Sequence, residues 1–186
     1  MSDRGSTQGR LLVSTPLIGD ANFARTVVFM IEHTDDAVVG VVLNRPTMVT
    51  LSEALDDWAE RASSPAVLFS GGPVSPETGL ALARPWPDAE LDAYREVVPG
   101  LGVLDLEADA ALVAPMIDRL RVFSGYAGWT PGQLEGELAV GAWFVVDADP
   151  DDALTVAPED LYASVLRRQG GRLSWFANYP DEPSFN

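Results

Sequence analysis

Thr26-Val27-Val28-Phe29-Met30-Ile31-Glu32-His33, followed after four residues by Val38-Val39-Gly40-Val41-Val42-Leu43, decides the fold class. Both runs are rich in β-branched residues and poor in helix formers, so each reads as a strand. Between them lies Thr34-Asp35-Asp36-Ala37, whose aspartates suit a tight turn. Two strands joined by so short a turn form an antiparallel hairpin, and the sheet that contains it is antiparallel at least there.

Working outward, Arg10–Ser14 reads as another strand. Further short strands are expected at 66–69, 79–83, 101–106, 119–124 and 143–146. The 119–124 segment, Arg-Leu-Arg-Val-Phe-Ser, alternates polar and apolar residues, which predicts one face in water. A helix is expected over 51–62, where Leu51, Ala54, Leu55, Trp58, Ala59 and Ala62 share a face and Thr50 with Glu53 forms a capping box. A short helix over 107–114 ends before Pro115. Another starts near Thr130, with Pro131 at its first position and Gln133 closing a capping box. The last spans 158–169, with Glu159 and Asp160 at its start, Arg167 and Arg168 in its final turn, and Gly170 after it. Strands and helices mix without a strict alternation, so the fold class is α+β: one domain, with helices packed on a mixed, largely antiparallel sheet. One echo stands out: Phe69-Ser70-Gly71 and Phe123-Ser124-Gly125 both read as strand ends at glycine turns.

With 186 residues, the chain buries about 70% of its unfolded surface and needs no disulfide or metal to hold a core. There is no cysteine, which removes thiolate metal sites and thiol catalysis. Residues 1–9 are polar and small, with no apolar stretch after their charges. They are expected to be a disordered extension to a domain spanning 10–186, without a secretory leader. No apolar run reaches membrane-spanning length, and a cytoplasmic location is expected. Acidic residues number 28 and basic ones 12, all arginine, for a net charge of −16. Such a surface repels polyanions, and non-specific DNA binding commonly needs about 6–10 basic contacts. Direct nucleic-acid binding is therefore not expected.

Four stretches carry a resemblance. They are Leu12-Val13-Ser14-Thr15-Pro16 with Arg25-Thr26-Val27-Val28 and Glu32-His33; Val42-Leu43-Asn44-Arg45-Pro46; Ser70-Gly71-Gly72-Pro73-Val74; and Gly125-Tyr126-Ala127-Gly128-Trp129, continuing to Gly132-Gln133-Leu134-Glu135. In this order, and over residues 10 to about 147, they resemble the YqgE/AlgH family of bacterial proteins. The segment 172–186 looks like the tail of a subgroup. The resemblance implies a compact α+β domain in the cytosol with no established enzyme activity. It transfers no catalytic residue, although some members were named as regulators of exopolysaccharide genes.

His33 is the single histidine, and so the single conventional base near neutral pH. A hydrolase would pair it with Ser14, Ser70 or Ser124 and orient it with Asp35 or Asp36. Phe69 and Phe123 before the serines do not fit a nucleophile elbow. The alternative is a strand-end histidine hydrogen-bonded to backbone. Gly71 and Gly72 offer backbone N–H groups to an anion or simply allow a tight turn. Arg45 beside Asn44 offers a clamp for carboxylate or phosphate, or an ion pair with a surface acid. Asp147, Asp149, Asp151 and Asp152 imitate the start of a calcium loop. Asp152 then stands where glycine is needed and Pro158 where glutamate is needed, so a solvated acidic turn is expected.

The 125–135 block is the leading site, because Tyr126 and Trp129 sit among glycines that permit close approach. Tyr126 is expected exposed and Trp129 at least half buried. The expected function is a non-catalytic binding or regulatory module that holds an unidentified protein or small molecule. Its surface would use Asn44, Arg45, Gly71, Gly72, Tyr126, Gly128, Trp129 and Gln133, with no metal or cofactor. A hydrolase using His33 with a serine is the alternative, and a transcriptional regulator acting indirectly is the second.

Overall fold

Strand β9, Ile117–Trp129, is the longest strand and the branch point of the sheet, paired with three other strands. The computed structural model describes residues 5–178; the expectations for residues 1–4 and for the tail beyond 178 lie outside them. Ten strands form one curled sheet in the order β10-β1-β2-β3-β9-β6-β8-β7, with β5 also on β9 and β4 on β5. Their ranges are β1 Arg10–Ser14, β2 Val27–His33, β3 Val38–Val42, β4 Pro46–Thr50, β5 Val67–Ser70, β6 Val74–Pro85, β7 Tyr94–Val98, β8 Leu101–Leu104 and β10 Trp143–Asp147. The β2–β3 hairpin forms as expected, with Val28 opposite Val42 and His33 opposite Val38. All pairings are antiparallel except β5 with β9 and one isolated bridge from Ala62 to Leu120. The architecture is α+β in a single domain.

Side-chain alternation divides the core in two across β1–β3. Leu11, Val13, Val27, Phe29, Ile31 and Val41 face helix α5, Leu161–Gln169, whose Leu161, Tyr162, Val165 and Leu166 pack on them. Leu12, Val28, Met30 and Val42 face the other way, toward Trp129, Trp143 and Leu134 of helix α4, Gln133–Ala139. Both faces are buried, which is why β2 reads as an unbroken apolar run instead of an alternating one. A third cluster joins Ala81, Leu104, Ile117, Leu120 and Val122 to Leu51 and Trp58.

Several expectations change. The helix over 51–62 is two short helices, α1 Leu51–Ala54 and α2 Asp56–Ala59, broken at Leu55. The capping box of Thr50 and Glu53 is present. The early end of α2 has a cause downstream. Leu120 N–H donates to Arg61 O and Ser63 N–H donates to Leu120 O, both at 2.8 Å, so residues 61–63 pair with β9 and cannot be helical.

The 107–114 helix is reduced to α3, Ala110–Val113, and a 3-10 turn that contains Pro115. Strands β4 and β7 and the short helix α6, Leu173–Phe176, were not expected. The 119–124 strand runs on through Trp129, so Ser124-Gly125 does not end it. The Phe-Ser-Gly echo instead marks the parallel pair: Phe69 lies opposite Phe123 and Ser70 opposite Ser124.

Nor does that strand keep a wet face. Arg121 is almost completely buried, over the Phe69 ring at 4.2 Å, and its guanidinium donates to the carbonyls of Ser63, Ser64, Ala153 and Thr155. Burial pulls its pKa down to about 10.

Of the expected N-terminal extension, residues 5–9 are packed on β2. Thr7 is buried, and Gly9 N–H donates to Met30 O at 2.8 Å. Among the described residues, no helix is long and apolar enough to cross a membrane.

Candidate functional site

The 125–135 block divides into a buried half and an exposed half. Gly125 to Trp129 is the end of β9, strand and not loop, and Val38 pairs with Trp129 there. Trp129 is 7% exposed. It stacks on Phe23 with centroids 6.2 Å apart and meets Trp143 edge-on at 6.1 Å. The Nε1–H groups of Trp129 and Trp143 both donate to Oε2 of Glu137, at 3.0 and 2.7 Å. Gln133 donates to the other oxygen of Glu137 at 3.0 Å. Aromatic burial and satisfied indole donors account for Trp129 as architecture. Tyr126 is half-buried against the cluster under α5, not exposed as expected.

The start of α4 differs from the sequence expectation. Gln133 Oε1 accepts from Thr130 N–H at 3.1 Å, which is half of the capping box. The helix itself begins only at Gln133, after Gly132 at φ 80°, and the Thr130 hydroxyl does not cap it. The left-handed Gly132 turns the chain out of β9, leaving Pro131, Gly132 and Glu135 at the surface.

Opposite these residues stands the end of the β2–β3 hairpin, and the two enclose a groove of about 480 Å³. Ser6, His33, Thr34, Asp35 and Val38 line one wall, with Pro131, Gly132 and Glu135 across from them. That volume falls within the usual range for a small-ligand site.

His33 lies at its base. Nδ1 accepts the backbone N–H of Thr7 at 3.1 Å and lies 2.8 Å from the Thr7 hydroxyl. That tautomer puts the ring hydrogen on Nε2, which donates to Glu135 Oε1 at 2.9 Å. The Glu135 carboxyl is held below the usual carboxylate range, first by its own backbone N–H and then by His33.

The serines considered as partners of His33 are engaged or placed elsewhere. Ser14 Oγ accepts from Thr26 N–H at 2.9 Å, Ser124 Oγ donates to Pro76 O, and Ser70 lies beside Arg45. Thr7 and the His33–Glu135 pair were not anticipated, because their partners lie 26 and 102 residues away in sequence. The Gln133–Glu137 bond was not anticipated either, although its four-residue spacing within a helix is a signal that could have found it.

The remaining predicted residues divide between turns and a second, smaller pocket. Asn44 brackets the backbone: Oδ1 accepts Val27 N–H at 3.0 Å and Nδ2 donates to Arg25 O at 2.9 Å. Arg45 donates to Ala24 O at 3.2 Å, where an acid had been the structural alternative. Gly71 and Gly72 lie flat against β9. A Cβ on Gly71 would come within 2.3 Å of Gly125 O, and one on Gly72 within 2.2 Å of the Tyr126 carbonyl. Gly128 is exposed beside the Tyr126 ring.

The acidic turn is solvated as expected at Asp147, Asp149 and Asp151, which are exposed, and arginines pair with it. Asp147 pairs with Arg10, Asp151 with Arg84, and the buried Asp152 takes a bidentate pair from Arg168 at 2.7 and 2.8 Å. Asp152 raises the Arg168 pKa. Asp149 accepts Asp151 N–H at 2.9 Å.

The chain matches the AlgH-like family model over residues 11–174. It is 47% identical to a UPF0301 protein of Streptomyces coelicolor over 190 residues, covering all of this chain and 98% of that one. A UPF0301 protein of Thermobifida fusca is 45% identical, with 99% and 98% covered. The crystal structure of a protein from Corynebacterium diphtheriae superposes with a TM-score of 0.88 at 28% identity, over 96% of this chain and 95% of that one. The solution structure of the AlgH protein from Pseudomonas aeruginosa gives 0.71 at 27% identity, over 97% of each. The chain belongs to the AlgH-like family, the YqgE/AlgH proteins that its motifs resemble.

Proposed function

We propose that this chain is a non-catalytic cytosolic binding module, and that its ligand surface is the groove between the β2–β3 hairpin and the start of α4. The observation that carries this reading is the state of His33. The only imidazole in the chain lines the groove with both ring nitrogens committed, one to Thr7 and one to Glu135. A general base needs a free lone pair aimed at its substrate. Here the lone pair on Nδ1 faces a backbone N–H.

The walls suit recognition. The exposed carboxylates of Asp35 and Glu135 flank Pro131 and Val38, with the hydroxyls of Ser6 and Thr34 beside them. Such a surface favours a small molecule or peptide that carries a cationic or hydrogen-donating group. Regulation of transcription, in this reading, passes through that partner and not through DNA, since a net charge of −16 opposes phosphate contact. The test is an amide NMR fingerprint of labelled protein mixed with fractionated native lysate. Shifts confined to the amides of residues 33–35 and 132–135 support the groove; shifts that leave these residues unmoved refute it.

A further inference from the structure

At the end of β3 away from the groove, a pocket of about 70 Å³ is lined by Asn22, Val42, Arg45, Ser70, Gly72 and Pro73. In a chain with 28 acids, no carboxylate lines it. Its lining residues bring a guanidinium, a side-chain amide and a hydroxyl.

Arg45 is half-buried, and among the described residues no ion pair joins it to an acid. Arg10, Arg84, Arg119 and Arg168 each pair with an aspartate. A partly desolvated guanidinium normally finds such a counter-charge or, like Arg121, a set of carbonyls, whereas the one acceptor shown for Arg45 is Ala24 O. The one nearby acid, Asp20, accepts Asn22 N–H through Oδ1 at 2.8 Å. Its field favours the Arg45 charge, and the burial that disfavours that charge is the larger effect.

The side chains of Asn22 and Ser70 and the N–H of Gly72 make no hydrogen bond among the described residues. The backbone of Ser70 and Gly72 is fixed all the same. Ser70 N–H donates to Arg45 O at 2.8 Å, Gly72 is pressed on the Tyr126 backbone, and Asn44, the residue before Arg45, is anchored to the backbone of Val27 and Arg25.

We propose that this pocket is an anion subsite for a single phosphate group, with Arg45 as its charged contact and Asn22, Ser70 and Gly72 N–H as further donors. The donors come from three separate chain segments, an arrangement that suits a tetrahedral group better than a planar carboxylate. The phosphate is either the free ion or the end of a larger phosphomonoester.

Amide NMR at constant ionic strength tests the assignment. Inorganic phosphate is titrated against acetate, with glycerol phosphate as a third arm. Inorganic phosphate should shift the Gly72 and Ser70 amides saturably, and acetate should not. Glycerol phosphate binding tighter than the ion marks an ester site, and the reverse order marks the free ion. Arg45→Met, if its spectrum stays dispersed, should weaken binding roughly tenfold or more, as loss of a charged donor implies. Should that variant unfold, Ser70→Ala and Asn22→Ala carry the test with a smaller weakening. No saturable shift, equal binding of acetate, or undiminished binding by these variants overturns the proposal. Because the groove residues are different ones, this outcome is separate from that of the groove.

Discussion

His33 Nε2 donates to Glu135 Oε1 across 2.9 Å, tying the last residue of β2 to the first turn of α4. The bond closes one end of the groove and commits the imidazole at the same time. Removing it with His33→Ala should cost modest stability, about 1–2 kcal/mol for the hydrogen bonds lost. Urea denaturation measures this. If a hydrolytic activity were found in the purified protein and this substitution abolished it, the non-catalytic reading would fall.

The same pair predicts a pH dependence. The folded-state pKa of Glu135 lies below its ordinary value of 4.5, so its contribution is present above that pH and is lost as pH falls through the lowered value. The stability difference between wild type and Glu135→Gln should therefore shrink below pH 4.5. Thermal melts of the two proteins from neutral to acid pH check this; a difference that widens in acid is the opposite result.

Trp129→Ala should cost about 3–5 kcal/mol, because it removes a buried ring from the Phe23–Trp143 cluster and leaves Glu137 short of a donor. Gln133→Ala, whose side chain is exposed, should cost about 1 kcal/mol or less. Chemical denaturation separates the two. A nearly neutral Trp129→Ala would mean that the ring is not core.

Glycines give a prediction with opposite signs. Gly72→Ala places a Cβ 2.2 Å from the Tyr126 backbone and should prevent normal folding. Gly136 lies inside α4, where an added Cβ would meet nothing within 4 Å, and Gly136→Ala should stabilise by about 0.5–1 kcal/mol. Melting temperatures of the two variants should move in opposite directions.

Much of the fold was legible because its signals are local. The β2–β3 hairpin, the Thr50–Glu53 box and the arginines and glycine that end α5 each depend on residues a few positions apart. What was not legible depends on distant partners. The end of α2 at Ala59 follows from residues 61–63 being drawn to Leu120, and the burial of Arg121 follows from carbonyls 57 to 58 and 32 to 34 positions away. The site was half legible for the same reason. Glycines and aromatics drew attention to 125–135, but most of them pack β9 against its neighbours. The exposed remainder faces a hairpin nearly a hundred residues earlier in the chain.

The central claim is that the groove is a binding surface, and affinity capture from native lysate, wild type beside Asp35→Trp, tests it most directly. Asp35 is exposed on the groove wall, so a tryptophan there fills the space while leaving the core untouched. Wild type should yield a reproducible bound metabolite or protein that is lost from Asp35→Trp, while both proteins melt at the same temperature. Equal recovery of that partner by both proteins would contradict the claim.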